Sequence, residues 1–149
     1  MGLCTGILQK TVSMLPELDA FLAEWKHGSD GAKPLFQSLY ACLAALDGVS
    51  LEYRGRPGVS HSLRARHAAQ KERDLFVVVD IIDDDPDARW LSVCFYADWI
   101  TDPEARGDVV PGGLAGDDAC CFDIDEPGAG MEAYMTARLQ EAYGNAAEG

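Results

Sequence analysis

The sequence predicts an α+β domain: two N-terminal helices, an antiparallel meander of about five strands, and one C-terminal helix packed on the sheet. Three observations carry that expectation. Apolar residues recur at helical spacing towards both ends of the chain, the period switches to two near Val49, and no crossover helix interrupts the strands that follow. Without strands alternating with helices, a doubly wound nucleotide-binding fold is not expected. At 149 residues and 48% apolar content, the chain fits one globular domain, residues 1–149, able to form a core without metal or disulfide support.

Leu18, Phe21, Leu22 and Trp25 share one helical stripe, and Pro16 is tolerated near a helix start, so a first helix is expected over 15–27. The stretch His27 to Gly31 breaks it, and Ser29 or Asp30 can cap a second helix with Pro34 in its first turn. Leu35, Phe36, Leu39, Tyr40, Leu43 and Leu46 give that helix a broad apolar face, and Gly48 stands where a helix-terminating glycine belongs.

Val49, Leu51 and Tyr53 then alternate with Ser50, Glu52 and Arg54, a half-buried strand ending at the turn Gly55–Gly58. The run 59–67 alternates again and completes a hairpin. Leu75–Ile82 is apolar on both faces, as in a central strand, and after the acidic turn Asp83–Asp87 a partner strand runs over Arg89–Ala97. Residues 98–118 lack a period and contain Pro103, Pro111 and several glycines, so they read as a long loop, a feature often functional or mobile. A short strand over Ala119–Ile124 precedes a last helix, with Met131, Tyr134, Met135, Arg138, Leu139 and Ala142 at helical spacing and Gly144 as its stop.

Charge is distributed unevenly. Residues 54–73 hold six of the twelve Lys/Arg, namely Arg54, Arg56, Arg64, Arg66, Lys71 and Arg73, against Glu72 alone. Residues 74–126 hold fifteen Asp/Glu against Arg89 and Arg106. A net charge of −13 disfavours nonspecific attraction to nucleic acid or anionic membrane, so an anionic ligand must meet a local basic patch. No apolar window reaches the length of a membrane span, and the N-terminus lacks the basic region and long apolar run of an export signal. A cytoplasmic protein is expected. The five cysteines, an odd number without framework spacing, read as buried free thiols, although Cys94, one strand away from the adjacent Cys120 and Cys121, could approach either of them.

Alternation places Arg64 and Arg66 on one strand face, and Arg54 projects from the neighbouring strand, so three guanidiniums can converge on a phosphate or carboxylate, with the Ser62 hydroxyl as a further donor. The plainer reading has these arginines solvating the outer sheet face beside Glu52, Glu72 or Asp80. His61 and His67 lie too far apart along a strand to hold one metal unaided, and no metal-ligand spacing or cofactor motif is present, so no metal site and no cofactor are expected. The turn Asp83–Asp87 lacks the pattern of a calcium loop. Gly112, Gly113 and Gly116 form neither a phosphate loop nor a dinucleotide fingerprint, and no nucleophile with an evident base appears.

The functional expectation is a binding or protein-interaction module whose arginine-bearing sheet face accepts an anionic small molecule or an acidic protein surface. A homodimer fits the same charge pattern, one copy's basic face meeting the other's acidic segment. Two alternatives use the acidic residues: a metal-dependent hydrolase built on carboxylates of 98–118 (Asp98, Asp102, Glu104, Asp108, Asp117, Asp118), or a surface imitating nucleic-acid phosphates.

Overall fold

The computed structural model describes residues 15–26 and 31–149, so Cys4, His27 and the expected caps Ser29 and Asp30 lie outside the described residues. Among the described residues, α1 (Pro16–Glu24), with Glu17 and Asp19 in its first turn, and α2 (Ala32–Ala45) precede the sheet. Strands β1 (Val49–Arg56), β2 (Ser60–His67), β3 (Val77–Ile82) and β4 (Trp90–Tyr96) follow in a meander. A short 3-10 turn (Ala97–Trp99), β5 (Asp108–Leu114), β6 (Asp117–Ile124) and α3 (Met131–Ala147) complete the chain. This is the expected α+β arrangement, with six strands.

The sheet is antiparallel throughout, in the order β1-β2-β3-β4-β6-β5. Period-two alternation sends Leu63, Ala65, Val77, Val79, Ile81, Leu91, Val93, Phe95, Phe122 and Ile124 to one face, where they join buried residues of all three helices in a single core. The opposite face has a smaller cluster, Val78, Tyr96, Leu114 and Ala119, with no helix residue in it among the described residues. Among the described residues, the α-helices therefore cover one face only. Between α2 and β1, Gly48 takes φ +78°, and a Cβ there would lie 2.7 Å from the His67 ring, so the turn needs glycine on both counts.

Two elements depart from the sequence reading. The expected loop 98–118 contains β5, whose register with β6 shifts between Val110 and Leu114 and whose residues are exposed except for Leu114. Such an edge strand tolerates Pro111 and glycines, and its exposed side chains remove the alternation that would have revealed it. Helix α3 also runs past Gly144 to Ala147: Ala146 is fully buried and the Asn145 amide donates to the carbonyls of Trp99 and Glu141.

One end of the sheet is tied by a buried polar cluster. Asp83, just beyond β3, accepts hydrogen bonds from Arg89 Nε at 2.6 Å, from His61 Nε2 at 2.9 Å and from the Gly58 amide at 3.3 Å. An ionised carboxylate only accepts, so His61 Nε2 carries a proton towards Asp83, while Nδ1 shares a hydrogen bond with the Tyr53 hydroxyl at 2.6 Å. Gly55, directly opposite His61, makes room for this reach, because a Cβ at that position would overlap the Tyr53 hydroxyl. Helix α1 seals the cluster: Phe21 stacks on His61 with ring centroids 3.7 Å apart, and the Arg89 guanidinium lies 4.8 Å from the Phe21 ring centre and 5.6 Å from that of Trp25.

Burial pushes the Asp83 carboxyl upward, but the hydrogen bonds from Arg89, His61 and Gly58 and the Arg89 charge outweigh it and hold it below the usual carboxylate range. Its contribution to stability is thus present above the unfolded-state value of about 4 and lost as pH falls through the lower folded-state value. Asp83→Ala, which strands Arg89 and His61, is expected to cost about 3 kcal/mol in urea unfolding at pH 7. Asp83→Asn is expected to flatten the fall in stability on acidification below about pH 4, measured by urea titrations at stepped pH.

Candidate functional site

The β1–β2 register assembles the basic face. Ser50 pairs with Arg66, Glu52 with Arg64 and Arg54 with Ser62, so these six side chains share the sheet face opposite the core. Arg54, Arg64 and Arg66 line one groove of about 430 Å³, together with Ser50 and Glu52. Its far wall comes from Asp74, Leu75 and Ala115, the last at the tip of the β5–β6 hairpin. The hairpin is held there by Leu114, which packs on the helix-free face beside Val78, Tyr96 and Ala119.

The three arginines differ in what restrains them. Arg64 is half-buried and donates from Nε to the Ser62 hydroxyl at 3.1 Å. Arg54 pairs with Glu52 at 2.9 Å, but both side chains are more than half exposed, so the pair holds little energy and exchanges readily with another anion. Arg66 is exposed, with no ion pair among the described residues. Ser62 is 5% exposed and sits behind the arginines, where it orients Arg64.

On the same face, Asp80 lies opposite Ser62 on one side and Ser92 on the other. Burial raises its carboxyl above the usual range, partly offset by the Ser62 hydrogen bond and the charges of Arg64 and Arg56. Among the described residues, its buried Oδ1 has no hydrogen-bond partner.

Five of the six carboxylates of 98–118, all but Asp108, are engaged by neighbouring groups. Asp102 accepts from the Tyr134 hydroxyl and from the amides of Arg106 and Gly107. Burial works against its ionised form, yet these bonds and the Arg138 charge keep it below the usual range. Asp98 and Asp117 both receive Arg73 at 3.0 Å, its guanidinium 4.0 Å above the Tyr96 ring and 4.9 Å from that of Trp99. Glu104 pairs with Arg106 at 2.7 Å, and Asp118 accepts from the Gly112 amide at 3.1 Å. Among the described residues, no three or more His, Cys, Asp or Glu side chains are grouped to hold a metal ion.

Comparison with protein-family models, curated proteins and solved structures finds no match. Function must be argued from geometry. Among the described residues no helix is long and apolar enough to cross a membrane.

The buried polar constellation Tyr53–His61–Asp83–Arg89 is one that sequence reasoning did not assemble. Its signals were present: His61 occupies an apolar strand face, and Asp83 opens the acidic turn directly after a buried strand. A hydroxyl–imidazole–carboxylate chain resembles a nucleophile relay in connectivity. Burial, followed by the charges of Glu17 and Asp83, raises the Tyr53 phenol, which therefore keeps its proton, and Phe21 covers the imidazole. The chain works as a structural tie.

The cysteines correct the expectation of free thiols. Cys94 and Cys121, opposite each other on β4 and β6, form a disulfide, Cys42 is also disulfide-bonded, and Cys120 is a buried free thiol. Cys120 and Cys121 face opposite sides of β6, as neighbours on a strand must.

Tyr134 both donates to Asp102 and accepts from the Glu104 amide at 3.1 Å, fastening α3 to the segment before β5. Tyr134→Phe is expected to cost about 1–2 kcal/mol in urea unfolding. The same change is expected to move the Asp102 carboxyl upward, followed by its side-chain carbon shift in an NMR pH titration.

Proposed function

We propose that this protein is a noncatalytic binding module whose helix-free sheet face accepts an anionic group, carried by a small molecule or by an acidic protein surface. The observation that supports it is the convergence of Arg54, Arg64 and Arg66, from two paired strands, on one groove. Guanidiniums offer forked donors suited to phosphate or carboxylate, and Arg66 has none of its capacity spent in an ion pair among the described residues. Glu52 and Asp74 temper the positive charge and favour a compact anion over a long polyanion. A second copy can supply the anion through its exposed Asp84 and Asp85, making a homodimer the protein form of the same contact. The cytoplasmic setting expected from the sequence belongs to this proposal, and fractionation of cells expressing the protein tests it.

The test uses inorganic phosphate, a dicarboxylate and an acidic peptide as probes in calorimetry and thermal melting, since a ligand selective for the folded state raises the melting temperature. Removing a charge-assisted hydrogen bond costs about 1.5 kcal/mol, so Arg64→Ala and Arg66→Ala are each expected to weaken binding of the responding probe roughly tenfold. Asp80→Asn, which removes a carboxylate that interacts with the Arg64 charge, is expected to tighten it. Added salt is expected to weaken binding or dimerisation. If no probe binds, or the arginine variants bind as the parent does, the proposal fails.

A further inference from the structure

We propose that Cys94 and Cys121 form a reversible dithiol–disulfide couple on the helix-free face, one that a dithiol reductant opens without unfolding the domain. The two residues are directly opposed in the β4–β6 ladder, with Cα atoms 4.1 Å apart. The ladder itself places their side chains side by side on one face of the sheet. Equally, β4 and β6 are registered over six residue pairs, from Leu91–Ile124 to Tyr96–Ala119, so their pairing does not depend on the bond. Both cysteines are partly exposed, whereas the core side of the sheet is sealed by the three helices.

The neighbouring groups define the exchange. Cys120 is buried on the core side, and burial, with the charges of Asp102 and Asp108, raises its thiol, so it stays protonated and does not compete. The Ser92 hydroxyl lies 3.7 Å from Cys94 Sγ, placed to hydrogen-bond that sulfur as a thiolate. Attack by a reductant thiolate on Cys121 Sγ forms a mixed disulfide as the Cys94–Cys121 bond breaks, and the electron pair leaves on Cys94 Sγ. The reductant's second thiol, as thiolate, then attacks its own sulfur in the mixed disulfide and releases the Cys121 thiolate. Both protein thiolates take up protons, so the protein gains two electrons and two protons while the reductant becomes a disulfide. Because β6 carries the hairpin whose Ala115 walls the arginine groove, the couple sits on the strand that positions that wall.

The test is peptide mapping of the folded protein after equilibration in mixtures of reduced and oxidised dithiothreitol, from reducing to oxidising, with acid quench, alkylation and trypsin. The tryptic peptides 90–106 and 107–138 are expected to be joined through Cys94 and Cys121 in oxidising buffer and free in reducing buffer, reversibly, with unchanged circular dichroism. Ser92→Ala is expected to slow reduction by dithiothreitol at least threefold. The proposal is overturned if the joined peptides never form, if they persist until denaturant is added, or if reduction abolishes the circular dichroism of the fold. An unchanged rate in Ser92→Ala overturns the choice of Cys94 as the leaving sulfur.

Discussion

Where β3 ends, Asp83 turns its carboxylate beneath α1, and three separate segments donate to it: Arg89 before β4, His61 on β2 and the Gly58 amide in the β1–β2 turn. A carboxylate 6% exposed is tolerable only when its oxygens are satisfied, so these donors have to arrive together. That requirement fixes the hairpin turn relative to the central strands. It also fixes α1, because the Phe21 and Trp25 rings lie against the imidazole and guanidinium that the carboxylate positions. Since a one-residue slip in β1–β2 would turn every side chain to the other face, anchoring the turn also keeps Arg54 and Arg64 on the groove side.

The charge asymmetry along the chain separates into two physical roles. Basic residues of β1 and β2 stand on the outer sheet face, where nothing in the core requires them. Many acidic residues act as acceptors for nearby backbone amides and side chains: Asp102 for two amides and a phenol, Asp117 and Asp98 for Arg73, Asp118 for Gly112. The overall charge of −13 then repels polyanions at long range, while the groove attracts a compact anion within roughly a Debye length of about 8 Å.

Legibility in the sequence followed the periodic burial of side chains. Helix α2 and the β1–β2 hairpin were plain because their residues alternate between core and solvent at 3.6 and 2.0 residues. Strand β5 was hidden because an exposed edge leaves no such pattern, and the continuation of α3 past Gly144 rests on tertiary burial of Ala146. The same distinction holds at the sites. Arg54, Arg64 and Arg66 were placed on one face by counting along strands, and Cys94 was readable as a neighbour of Cys120 or Cys121, while the choice of Cys121 and the donors that meet at Asp83 depend on which strands pair and in what register. Local spacing holds no information about that. Ser62 shows the finer limit: its face was readable, but its burial behind Arg64 was not.

The central functional claim is that three guanidiniums act as one site, and side-chain NMR of the arginine Nε–H groups during titration with inorganic phosphate tests it most directly. The account predicts that the Nε–H signals of Arg54, Arg64 and Arg66 shift together along one binding isotherm while those of Arg73 and Arg138, held by their own carboxylates, stay in place. Shifts spread evenly over all the arginines, or separate isotherms for the three, would contradict it.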